Sequence, residues 1–188
     1  MQTQTWNRIR TIAFWATTLV IVAELVAGTI WNLKPIEWVE IQLRHLGYPD
    51  YFAGILGFWH AAAAAAIIAP GLPLIKEWAY AGVVLMWSGA VLSHLSVGDG
   101  PVNWGPPLMF TTLAVASWAL RPADRRLRRD RPAGTGPERP GPSAAARPRA
   151  WAVPAEILAA LFAVMALTLP TVEDFMREQA VAYGWIDK

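Results

Sequence analysis

Residues 52–69 read FAGILGFWHAAAAAAIIA, an unbroken run of 18 residues without a formal charge. A helix of about 20 apolar residues crosses the roughly 30 Å hydrocarbon core of a bilayer. Membrane-barrel strands would instead alternate in polarity over about 10 residues. Four further stretches are as apolar as residues 52–69: Thr11–Trp31, Trp78–Val97, Trp104–Leu120 and Trp151–Leu169. The pattern therefore predicts an all-α integral membrane protein with five transmembrane helices, the fifth of them C-terminal.

The overall composition supports a membrane protein and excludes several kinds of site. Of the 188 residues, 55% are hydrophobic and 16% are charged, against about 25% charged in an average soluble domain. The absence of cysteine excludes disulfides, thiolate metal sites and cysteine nucleophiles. No HExxH, GxSxG or phosphate-loop pattern occurs. Nucleic acid is not an expected partner, because the arginines cluster in a linker without an aromatic platform.

The chain divides into three parts, and its positive charges indicate an orientation. Residues 1–120 hold the core, with a short amphipathic helix predicted at about 35–46 on the outer membrane surface. Residues 121–150 form a basic linker rich in Pro, Gly and Ala, and residues 151–188 form the fifth helix and an outer amphipathic tail. A cytoplasmic N-terminus places 12 Lys and Arg inside and 4 outside, as the positive-inside rule requires. We therefore expect the N-terminus inside and the C-terminus outside.

Ionisable residues at membrane depth define a candidate polar pocket. Glu24, His60 and His94 lie in the first three predicted transmembrane helices, where such groups are costly in lipid and often functional. With a rise of about 1.5 Å per residue, all three fall between the outer interface and the midplane. Asp99 follows near the same surface. These four residues are the predicted pocket, and the alternative is that Glu24 and His60 only hydrogen-bond helices together.

Aromatic residues on the third predicted helix suggest what the pocket could hold. Tyr80, Trp87 and His94 share one helix face at seven-residue spacing, which suits a flat quinone headgroup, although helix packing produces the same pattern. His60 and His94 differ in depth by about 10 Å, so haem ligation is not expected. Clustered ligands with zinc-site spacing are also absent from the sequence, and no metal or bound cofactor is expected apart from the candidate quinone.

A succession of motifs in the middle of the chain points to a family. The motifs are Leu46–Tyr51 (LGYPDY), Lys76–Gly82 (KEWAYAG), Gly89–Ala90, Ser93–His94 and Gly98–Asp99. Over about residues 8–120 the chain resembles the DoxX-like family of small bacterial membrane proteins. The resemblance implies a four-helix bundle in the bacterial cytoplasmic membrane. Most members have no established activity, although the wider group takes its name from a subunit of a thiosulfate:quinone oxidoreductase.

Two functions follow as competing interpretations. The preferred one is a non-catalytic accessory or scaffold subunit of a larger membrane complex, which docks on a protein partner or a second copy through the fifth helix. The extra helix and the small number of candidate catalytic residues favour this interpretation. The alternative is a quinone-linked redox or small-molecule-handling membrane protein that uses the pocket of Glu24, His60 and His94. A small transporter would show inverted repeats or broken helices, and neither is visible in the sequence.

Overall fold

The computed structural model describes residues 2–122 and 149–186. Over these residues the chain forms helices and no strand, which confirms the predicted all-α fold. The helices are α1 (Gln2–Leu33), α2 (Glu37–His45), α3 (Tyr51–Ile68), α4 (Pro73–Ser96), α5 (Pro101–Leu120) and α6 (Arg149–Ala182). Most of the predicted basic linker, residues 123–148, lies outside the described residues.

Helices α1, α3, α4 and α6 are long and apolar enough to cross a membrane. Helix α5 contains the fourth predicted span and is 20 residues long, but it is not one of these candidates. Its first two turns include Asn103, Gly105, Pro106 and Pro107, so it is less apolar than the others. It nevertheless packs against α1 and α4 and so completes the bundle.

Helix α1 lies at the centre of the bundle and packs on α3, α5 and α6. Its residues Ile21, Val22, Leu25 and Val26 are fully buried and form the middle of the main core cluster. Close approach between α1 and α3 depends on small residues. A Cβ added to Gly57 would lie 2.8 Å from the Leu33 side chain and 2.9 Å from its backbone nitrogen, which leaves no room for a larger residue.

A buried lysine closes the turn between α3 and α4. Lys76 is 1% exposed, and its ammonium donates hydrogen bonds to the carbonyls of Ala66 at 2.8 Å, Ile67 at 2.7 Å and Ala69. The last carbonyls of a helix have no amide donors of their own, so Lys76 satisfies the end of α3. Leu72 then adopts a left-handed conformation with φ of +53°, which reverses the chain before α4.

The segment predicted as a fifth span followed by a tail is one continuous helix, α6, which passes through Pro170. It packs on the core through Ile157, Leu158, Leu161 and Met165. Only 6% of its apolar span is buried in the chain, against 44% for α1. At about 1.5 Å per residue it is longer than the hydrocarbon core is thick, and its last turns reach α2.

Candidate functional site

One end of the bundle contains a cavity of about 700 Å³. We call it the α2 end, because α2, the α4–α5 connection and the end of α6 meet there. All six helices contribute side chains to the cavity wall, and its volume lies within the range of small-molecule sites. Aromatic and aliphatic residues cover most of the wall. Among the described residues that line it, Glu24 is the only carboxylate, and none is a lysine or arginine.

Glu24 and His60 line this cavity from α1 and α3. The His60 ring is 7% exposed, and its Nδ1 lies 2.7 Å from the Leu56 carbonyl oxygen. Because a carbonyl only accepts, Nδ1 carries the proton and the Nε2 of the neutral ring is an acceptor. Within residues 2–122 and 149–186, neither His60 Nε2 nor the Glu24 carboxylate has a hydrogen-bond partner, and the two side chains do not bond to each other directly.

Two more polar atoms of the cavity-lining residues have no partner in the described part of the chain. They are the buried Nε1 of Trp31 and the buried Oδ1 of Asn32. The Asn32 side chain is oriented by its Nδ2, which donates to the Gly28 carbonyl at 2.7 Å. Leaving a buried polar group unpaired costs about 1–3 kcal/mol, so such atoms normally have a protein, water or ligand partner. Trp31 and Asn32 line the cavity together with Glu24 and His60, and we call these four residues the polar corner of the cavity.

Asp99 does not line the cavity but lies beside it, between two imidazoles. Its Oδ2 accepts a hydrogen bond from His94 Nδ1 at 2.6 Å, and its Oδ1 accepts one from His45 Nε2 at 2.9 Å. Burial raises the pKa of Asp99, but the hydrogen bonds and charges of the two histidines outweigh burial and lower it below its usual value. When His94 is neutral, with its proton on Nδ1, its Nε2 can accept a hydrogen bond from the Gln42 amide, 3.3 Å away at the cavity wall.

The three residues of the predicted aromatic face separate in the structure. Trp87 and His94 line the cavity, whereas Tyr80 is 2% exposed in the packed core. The Tyr80 hydroxyl lies 2.8 Å from Ser117 Oγ, which in turn lies 2.7 Å from Thr18 Oγ1. Tyr80 therefore belongs to a polar link between α1, α4 and α5, away from the cavity.

The end of α6 covers the α2 end of the bundle. The Trp185 ring stacks on His45, with centroids 4.7 Å apart and planes at 22°, and lies 5.1 Å from Trp38. Arg177 Nε lies 3.6 Å from the Glu37 carboxylate. Side chains of the last α6 turns and of the residues after it line the cavity: Phe175, Met176, Gln179, Tyr183 and Trp185. The sequence predicts an outer amphipathic tail here, but no local pattern indicates that the tail lines the site.

Among the described residues, no group of histidine and acidic side chains has an arrangement that could hold a metal ion. Comparison with known proteins identifies one family. The model of the DoxX-like family matches residues 16–117, which is 102 of the 188 residues and runs from α1 to α5. No curated protein and no solved structure matches the chain.

Proposed function

Since the chain belongs to the DoxX-like family and has the helices of a membrane protein, we propose that it binds a small, largely apolar molecule with a polar headgroup. The cavity of about 700 Å³ at the α2 end is the observation that carries this proposal. Ligand sites are mostly apolar and have a few polar groups that orient the bound molecule. The polar corner formed by Glu24, Trp31, Asn32 and His60 supplies such groups.

The remainder of the wall suits the apolar body of the ligand. Leu56, Met86, Trp87 and Phe110 line the cavity, and the Trp87 and Phe110 rings lie 5.4 Å apart. A quinone is one molecule of this class, since a flat ring would pack on Trp87 while Trp31 Nε1 donates to a carbonyl oxygen. Oxidation or reduction of that ring would need an electron-transfer partner outside this chain.

A pair of variants on α4 tests whether the cavity holds a ligand. A Cβ at Gly89, which lines the cavity, or at Gly82, which is exposed nearer the other end of α4, would meet nothing within 4 Å. Gly89→Leu should therefore fill part of the cavity, and Gly82→Leu should not. The protein is purified from its native membrane in a mild detergent, and extracted small molecules are identified by mass spectrometry. A bound molecule should be present with the wild type and Gly82→Leu and reduced with Gly89→Leu. Equal recovery of every molecule from all three would contradict the proposal.

We propose as a second function that α6 docks on a membrane-protein partner or a second copy, as an accessory subunit would. Ala155, Ala159 and Ala163 recur every fourth residue on α6 and are exposed, and small residues at this spacing allow helices to approach closely. Ala159→Leu should reduce cross-linking to the partner, whereas Ala160→Leu, exposed but beside this row, should not. Equal cross-linking of both variants and the wild type would contradict docking through this face.

The orientation belongs to the same proposal. We propose that the N-terminus lies in the cytoplasm of a bacterium, so that the α2 end and its cavity face outward across the cytoplasmic membrane. The support is the excess of Lys and Arg in the segments that this orientation places inside. In the cysteine-free chain, an impermeant thiol reagent should label Lys188→Cys but not Ser143→Cys in intact spheroplasts. The reverse labelling would show the opposite orientation.

A further inference from the structure

We propose that the ligand of the cavity is a singly charged organic cation, an amine or ammonium group on an apolar body, held by the Glu24 carboxylate. This inference rests on the proposed binding function and names the chemical class of the ligand. Three independent features of the cavity lead to it: the balance of charges, the balance of hydrogen-bond donors and acceptors, and the aromatic wall.

The charge balance of the wall is negative when Glu24 is ionised and the histidines are neutral. Glu24 is the only carboxylate among the described lining residues, and no lysine or arginine accompanies it. A carboxylate at membrane depth without a partner is costly, and an opposite charge in close contact offsets part of that cost. The described lining residues supply no fixed positive charge, so a ligand cation would be the counter-ion. The same balance disfavours carboxylates, phosphates and other anions.

The unpaired polar atoms of the polar corner are mostly acceptors. Asn32 Oδ1 has no donor within the described parts of the chain, and His60 uses Nδ1 for its bond to the Leu56 carbonyl, which leaves Nε2 as an acceptor. The one unpaired buried donor of the corner is Trp31 Nε1. Pro106 and Pro107 line the cavity from α5. They lack the amide hydrogens that a regular helix would offer to the carbonyls of residues 102 and 103. A headgroup with N–H donors therefore satisfies more of the polar corner than a quinone, whose oxygens only accept.

Aromatic rings surround the space next to the polar corner. The lining aromatic residues include Trp31, Trp38, Phe52, Trp87 and Phe110. The face of an aromatic ring attracts a cation, and the attraction grows when the cation is removed from water. The same rings pack well against an apolar body. One wall can thus bind both parts of a cationic amphiphile.

Three probes with the same apolar body separate the effect of headgroup charge on affinity from the effect of burying the apolar body. They are 4-phenylbutylammonium, 4-phenylbutanol and 5-phenylvalerate, titrated against the full chain in phosphatidylcholine vesicles at pH 7. Binding is followed by tryptophan fluorescence, because several tryptophans line the cavity. Gly89→Leu measures the signal that comes from partition into lipid. We expect the ammonium to bind at least tenfold more tightly than the alcohol, and the carboxylate most weakly.

Variants of Glu24 test the residue that selects the charge. Glu24→Gln should reduce the preference for the ammonium over the alcohol to less than threefold while the alcohol still binds. Glu24→Asp, which keeps the charge, should retain the preference. Glu156→Gln is the matched control, because Glu156 is exposed on α6 and does not line the cavity.

The outcomes distinguish this inference from the function on which it rests. If the alcohol binds the wild type as tightly as the ammonium, the cavity is a ligand site but not a cation site, and the inference is wrong. An unchanged preference in Glu24→Gln also overturns it. If none of the three probes binds the wild type more tightly than Gly89→Leu, both the inference and the proposed binding function are contradicted.

Discussion

The imidazole of His60 lies directly against the backbone of Gly28 where α1 and α3 cross. A Cβ added at Gly28 would be 2.5 Å from His60 Cδ2 and 2.7 Å from Nε2, distances at which atoms overlap. The absence of a side chain on α1 therefore creates the space that His60 occupies. The ring is held from its other edge by the Leu56 carbonyl, so its position is determined on two sides.

Gly28→Ala should displace His60 from this position and destabilise the protein. Forcing an extra methyl group into a packed site costs about 1–3 kcal/mol. Gly54→Ala is the control, because a Cβ at Gly54 on α3 meets nothing within 4 Å and alanine is the better helix former by up to about 1 kcal/mol. The midpoint temperature of thermal unfolding, followed by tryptophan fluorescence, should therefore be lower for Gly28→Ala than for the wild type. For Gly54→Ala it should be unchanged or higher. Equal midpoints for both variants would show that His60 adapts without cost.

One part of the site was predictable from the sequence, namely Glu24, His60 and His94. The number of residues from the end of a transmembrane helix gives the depth of each side chain in the membrane. The structure places all three on one cavity wall. The same reasoning grouped Tyr80 with His94 because seven-residue spacing identifies a helix face. Fourteen residues separate the two, or about 20 Å along α4, and only His94 reaches the cavity. Spacing alone therefore predicts which residues share a helix face, but not which of them lie at the end of the bundle that contains the cavity.

Other parts of the site depend on contacts that no local pattern contains. His45 meets Asp99 across 54 residues, and Trp185 reaches His45 from the end of α6. The lack of partners at Trp31 Nε1 and Asn32 Oδ1 is a property of the whole bundle. The helices themselves were predictable, since a lipid environment requires long apolar runs whose backbone groups bond internally.

Lys76→Met should lower the free energy of unfolding by several kcal/mol. Methionine keeps much of the length of the side chain, but the carbonyls of Ala66, Ile67 and Ala69 lose their ammonium donor. Hydrogen bonds from a charged group are each worth about 1.5–3 kcal/mol, and the three share one donor, so their loss is less than additive. The exposed Lys34 provides the control, and Lys34→Met should leave the urea or thermal midpoint nearly unchanged. A similarly small effect at both positions would mean that the end of α3 is satisfied without Lys76.

Asp99→Asn should destabilise the α2 end at neutral pH, and its effect should shrink in acid. The histidine partners lower the pKa of Asp99 below its ordinary value of 3.8. A carboxylate with a lowered pKa stabilises the folded state above the unfolded pKa, and this contribution is lost as the pH falls towards the folded pKa. The unfolding midpoints of wild type and variant should therefore differ at pH 6 and converge below about pH 4, the ordinary value for aspartate. Asp50→Asn, at an exposed aspartate, should show little difference at either pH. If the unfolding midpoints of wild type and Asp99→Asn differ by the same amount from pH 6 to pH 3, the ionised carboxylate does not stabilise the folded state.

Trp185→Ala should release the end of α6 from α2. The stacking of Trp185 on His45 is an aromatic contact worth about 0.5–1.5 kcal/mol beyond burial, which corresponds to an opening about two- to tenfold more frequent. The nearby Arg177–Glu37 pair is 65% and 44% exposed, and exposed ion pairs contribute about 0–1 kcal/mol. Amide hydrogen exchange of Glu37–His45 in detergent should therefore accelerate more in Trp185→Ala than in Arg177→Gln. Trp78→Ala, at a tryptophan that is 75% exposed, should leave this exchange unchanged. If Arg177→Gln accelerates the exchange of α2 as much as Trp185→Ala does, the ion pair rather than the aromatic stack holds α6 at this end.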